Sequence, residues 1–221
     1  MVRFCGRDLG ALSLVWLLCT ACGSAATDAG DAPSCASRFA TSVESFSAGP
    51  GPDFGQSDLP GVVLGPPHGA GTMAGSLDVA TLGNGGSITL GFAPSQIVDR
   101  PGADFIVFEN AFYVDGDPDK PFAELASVEV SDDGLDFEGF PCTASAAPYG
   151  SCAGWHPVYA NPDTNQIDAT DPSVAGGDAF DLADIGVSHA RYVRITDRAD
   201  LTGQSGTFDL DAVSIVNAEC P

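Results

Sequence analysis

Basic residues are the scarcest class in this sequence: 8 Lys and Arg stand against 30 Asp and Glu, leaving a formal net charge of −22 at pH 7. Such a chain repels a phosphate backbone, so nucleic-acid partners are excluded, while divalent cations are attracted. Helical patterning is missing as well, since no segment keeps an apolar 3.6-residue period over twelve residues. Without an internal repeat or blade period, propellers and solenoids are also excluded. What the chain has in quantity is Gly and Pro, 27 and 16 of 221 residues, and 24 of its 30 acids are Asp, the carboxylate of turns and oxygen-ligand loops. With 44% hydrophobic residues it is too apolar for disorder, and its length suits one core. The composition predicts one domain of strands and turns.

The N-terminus, MVRFCGRDLGALSLVWLLCTAC, places Arg3 and Arg7 before an apolar run from Leu9 to Leu18 and small residues before Cys22. A run of about ten residues is half of the ~20 that span a bilayer and fits the apolar region of a signal peptide. Cys19-Thr20-Ala21-Cys22 resembles the lipobox of bacterial lipoproteins, with Cys19 where Leu is usual; ordinary cleavage near Ser24-Ala25-Ala26 is the alternative. The expected organisation is a lipoprotein signal peptide over 1–21, lipidation of Cys22, a flexible polar tether over 22–34, and a β-sandwich domain over 35–221 held at the outer membrane or cell surface.

Once Cys5, Cys19 and Cys22 are set aside, Cys35, Cys142, Cys152 and Cys220 remain. An even number in an exported chain predicts disulfides. Of the three pairings, the expected one joins Cys142 to Cys152 across the turn-rich PCTASAAPYGSC and Cys35 to Cys220 across the whole domain. Zinc is excluded for want of a Cys-x2-Cys pair.

Short β-branched and aromatic runs fill the rest. SITLGF (87–92) alternates, with Ile88, Leu90 and Phe92 on one face, whereas DFIVF (104–108) is apolar on both faces, as a strand covered on each side requires. Val128 and Val130 alternate before the turn Asp133-Gly134 and a return strand near Phe137–Phe140; RYVRI (191–195) and FDLDAVSIV (208–216) close the series. Asp181–Ile185 alone suits a helical turn. The expected fold is all-β, an antiparallel β-sandwich.

The stretches VVLGPP (62–67), LGNGGSITLGF (82–92), DFIVFENAF (104–112), FAELASVEVSDDG (122–134), FDLADI (180–185), RYVRITD (191–197) and FDLDAVSIVNAE (208–219) together resemble a family of bacterial secreted or lipid-anchored cell-surface proteins of unknown function. VEVSDDGLDF and ARYVRI further resemble discoidin-like, galactose-binding-like jelly-roll domains. The resemblance implies a disulfide-stapled jelly-roll sandwich at the cell surface. It brings no activity with it.

Catalytic equipment is thin. Gly203-Gln204-Ser205-Gly206-Thr207 misses the G-x-S-x-G elbow at its last position, and GNGGS lacks the Lys of a phosphate loop. No catalytic residue is assigned and no enzyme is expected, a glycoside hydrolase being the remote alternative. Asp115-Gly116-Asp117-Pro118-Asp119 starts with the spacing of a calcium loop but has Lys120 and Ala126 where Gly and Glu belong, so it reads as a solvated turn. For calcium the family resemblance marks Glu109, Asn110, Asp178, Asp181, Asp209 and Asp211 near strand ends. Alternation puts Asp209 and Asp211 on one side of their strand, where either a cation or Arg191 and Arg194 must neutralise them.

Ligand binding by an exported sandwich rests on loop aromatics. Trp155, His156 and Tyr159 in CAGWHPVYANPD, with Phe112 and Tyr113 after the DFIVF strand, form the candidate ligand set, and packing is the competing role for Trp155. The expected function is a non-catalytic surface binding module for carbohydrate or a protein ligand, with a structural or adhesion protein as the alternative.

Overall fold

The computed structural model describes residues 37–199 and 206–220. Among them every strand pairing is antiparallel and helical structure is confined to four short 3-10 turns. The alternating SITLG segment forms β3 (Ser87–Gly91), flanked by β1 (Ser42–Ser47) and β12 (Tyr192–Asp197); β8 (Ala126–Ser131) and β9 (Glu138–Gly139) complete a five-stranded sheet in the order β1-β3-β12-β8-β9. Register puts Ile195 opposite both Ile88 and Val128, and Val193 opposite both Leu90 and Val130. One face is therefore a continuous apolar layer. On the other face Arg194 Nε donates to Glu129 Oε2 at 2.7 Å.

A second layer is centred on β5 (Phe105–Phe108), between β10 (Asp178–Phe180) and β14 (Ala212–Ile215). All four β5 residues are buried. Phe105 and Val107 join the main core with Leu90, Val128 and Ile195, whereas Ile106 and Phe108 pack outward against Val158, Ala160, Ala169 and Ala175. The doubly apolar DFIVF run thus has both faces covered. Phe105 stacks on Phe180 at 5.1 Å and meets the edge of Phe140 at 5.8 Å, knitting the layers together.

Smaller ladders close the margins. β4 (Gln96–Val98) lies between β11 (His189–Ala190) and β15 (Ala218–Glu219), β2 (Ala80–Thr81) pairs with β13 (Asp209–Leu210), and β6 (Phe112–Tyr113) pairs with β7 (Pro121–Phe122). The β8–β9 connection contains the expected turn, in which Asp133 Oδ1 accepts the amides of Leu135 and Asp136 and Gly134 takes a φ of 76°. The helical turn expected at Asp181–Ile185 is a 3-10 turn, Leu182–Ile185, whose N-cap side chain is Asp181.

Cys142 and Cys152 are bridged, with Cα atoms 4.6 Å apart. The other expected bridge has Cys35 outside the described residues, as are the signal peptide, Cys22, the tether and Ser205. The protein is all-β and antiparallel, a sandwich of a five-stranded and a three-stranded sheet sharing one core.

Candidate functional site

The disulfide anchors one wall of the site. Cys142 and Cys152 cluster with Leu125 and Tyr149, and Trp155 packs against them, its Nε1 donating to the Cys152 carbonyl at 3.0 Å and its ring meeting the edge of Tyr149 at 5.8 Å. Packing is only half of its role, because Trp155 is half-buried and also faces a cleft of about 360 Å³. Tyr113 and His156 line that cleft with Pro118, Pro121 and Asp119. An adjoining cleft of about 350 Å³ shares Tyr113 and His156 and adds Tyr159. Four of the five aromatic or imidazole side chains singled out in the sequence therefore meet. Phe112 stacks instead on Phe122 at 4.8 Å, bracing the β6–β7 hairpin that presents Tyr113.

Asp178, on β10, organises the second wall. Its Oδ2 accepts the amides of Gly154 at 2.7 Å and Trp155 at 3.2 Å, and its Oδ1 pairs with His156 Nδ1 at 2.7 Å. Three donors occupy this buried carboxylate, which marks it as a positioning group. Gly154 has a φ of 95°, and a Cβ there would lie 2.0 Å from the Glu124 carbonyl oxygen, so only glycine lets this segment run so close to its neighbour. A histidine backed by a buried aspartate is one half of a hydrolytic relay. Among the described residues, however, no hydroxyl or thiol hydrogen-bonds to the other imidazole nitrogen. The dyad holds the imidazole where it lines both clefts.

The metal candidates divide. Glu109 and Asp209 come together with Glu124, each offering a carboxylate oxygen within 4.8 Å of the others. Asn110 joins at the margin, donating from Nδ2 to Asp209 Oδ2 at 3.2 Å. Asp211 turns away. Its strand is interrupted between β13 and β14, which pair with different neighbours, and both Asp211 oxygens accept the His68 amide at 3.0 Å. Asp181 accepts the Ala183 amide as a cap and also meets Asp99 and Asp104, their carboxylate oxygens within 4.8 Å of one another, but there Asp104 is already satisfied by the amides of Arg100 and Leu182 and by Asn217 Nδ2. The arginine alternative for Asp209 and Asp211 is not realised, because Arg194 pairs with Glu129 and Arg191 with Asp132. Asp117 forms a local pair with Lys120 at 2.8 Å, consistent with an acidic turn.

Glu124 is absent from the ligand set derived from the sequence. It lies in PFAELAS, which reads as the approach to a strand; in the fold its amide donates to the Gly154 carbonyl and its side chain is buried. Burial pushes the Glu109 carboxyl well above the ordinary range, raises Glu124 to about 8 and raises Asp209, with neighbouring carboxylates adding to each shift. Asp211, also buried, is raised to about 8. No family model matches this chain, and no curated protein is significantly similar to it.

Proposed function

We propose that the chain is a non-catalytic binding module of the bacterial cell surface that takes a carbohydrate ring between Tyr113, Trp155 and His156. The supporting observation is the convergence of these three side chains on one cleft of about 360 Å³, with Asp119 at its margin. Ring faces pack on the apolar side of a sugar, while an imidazole, a phenol and a carboxylate direct hydrogen bonds to its hydroxyls. The wall is preorganised through Asp178 and the Cys142–Cys152 bridge, which lowers the ordering cost of binding. A lipobox-like N-terminus and the family resemblance support an anchored, outward-facing location.

A glycan array probed with the mature protein and with its Trp155→Ala and Tyr113→Ala variants tests this reading. The expected result is retention on a restricted set of glycans, reduced about 5- to 150-fold by either substitution, since losing a stacked ring costs about 1–3 kcal/mol. Retention that both variants preserve would remove the cleft from the account.

A further inference from the structure

We infer that Glu109, Glu124 and Asp209 form a binding site for one divalent cation of the calcium type, distinct from the aromatic cleft. Glu109 follows β5, Glu124 follows β7 and Asp209 sits in β13, so three separate segments each turn a carboxylate toward one point. An acidic cluster alone can be a solvated patch. This one is not: Glu109 is 1% exposed, and neither of its carboxylate oxygens has a hydrogen-bond partner. The Asn110 backbone amide favours the charged form of Glu109, but too weakly to offset burial and the neighbouring carboxylates. Among the described residues no Lys, Arg or His forms an ion pair with any of the three acids.

Buried polar atoms are satisfied as a rule, and a buried carboxylate with two vacant oxygens beside two more carboxylates is stable only when a proton or a cation joins it. A cation fits better than protons alone, because three acids converging from three segments supply several oxygens at one point. The donors are all oxygen, with no imidazole or thiolate, which selects a hard ion over zinc or copper. Calcium takes six to eight oxygens at about 2.3–2.6 Å, so the carboxylates together with water meet its demand, whereas magnesium asks for a stricter octahedron. Burial first, and neighbouring carboxylates second, push all three carboxyls upward, and an ion seated among them would offset both. Ligation also ties β5, β13 and the segment after β7 to one another.

Calorimetric titration of the chelator-treated full chain with calcium chloride, in buffer of physiological salt, tests the inference without reference to any glycan. The expected result is one saturable site per chain and a thermal midpoint raised by several degrees. Glu109→Gln and, independently, Glu124→Gln should weaken that site at least ~10-fold, because affinity follows the count of charged ligands. Asp117→Asn, in the exposed turn, should leave it unchanged. Calcium-free Glu109→Gln should melt no lower than the calcium-free parent, which separates lost ligation from misfolding. Absence of saturable calcium binding, or binding that Glu109→Gln and Glu124→Gln both retain, would overturn the assignment.

Discussion

Asp178 Oδ1 lies 2.7 Å from His156 Nδ1 while its other oxygen holds the amides of Gly154 and Trp155, so one buried carboxylate sets the geometry of a whole cleft wall. Removing it leaves three donors without their acceptor. Asp178→Ala is expected to cost about 3 kcal/mol in urea unfolding, in keeping with the loss of charge-assisted buried hydrogen bonds. His156→Ala, at a half-buried site, should cost under about 1 kcal/mol and still weaken ligand binding.

The carboxyl groups raised by burial set a pH dependence. For Glu124 and Asp211 the unfolded values lie near 4.5 and 3.8 and the folded values at about 8. An acid raised in the folded state binds protons more tightly there, so its contribution is fully present below the unfolded value and is lost as pH rises through the folded one. Calorimetric scans of chelator-treated protein should therefore show the thermal midpoint falling as pH is raised from about 5 to about 9. Saturating calcium should flatten that fall, since ligation neutralises Glu109, Glu124 and Asp209 while leaving Asp211 to titrate.

The Cys142–Cys152 bridge closes a loop with a sequence separation of 10. Chain entropy assigns such a loop about 3 kcal/mol, so the double variant Cys142→Ser, Cys152→Ser should lose roughly that amount in denaturant titration. Because Trp155 packs against the bridge, its emission should shift to longer wavelength in the same variant while the far-ultraviolet circular dichroism of the sheets persists.

Strands β3, β5, β8, β12 and β14 were legible because one-face alternation and the two-faced DFIVF run are local properties of the chain, whereas β1, as long as any of them but with no fully buried residue, was not. The 3-10 turn at Leu182–Ile185 was legible for the same reason, with Asp181 as its cap. The two-residue strands β2, β6, β7, β11 and β15 were not, since pairs so short exist only through their partners. Asp209 and Asp211 show why strand parity misleads: it predicts one shared face, but the chain changes partner between them, and Asp211 ends on the His68 amide. Glu124 escaped for a related reason, since its burial beside Glu109 and Asp209 arises from tertiary contacts and not from a local pattern. The aromatic set was more accessible, because Trp155 and His156 are chain neighbours of the bridge and Tyr113 ends a recognisable run. Phe112 illustrates the limit, as its alternation with Tyr113 within β6 directs it to Phe122.

Trp155 is a built-in reporter, since the other of the 2 Trp residues lies in the expected signal peptide. Titrating the mature chain with array-selected soluble oligosaccharide while following tryptophan emission probes the cleft itself. A saturable shift that Tyr113→Ala weakens, with the oligosaccharide recovered intact, is the predicted result; emission unmoved at millimolar sugar, or cleaved oligosaccharide, would contradict it.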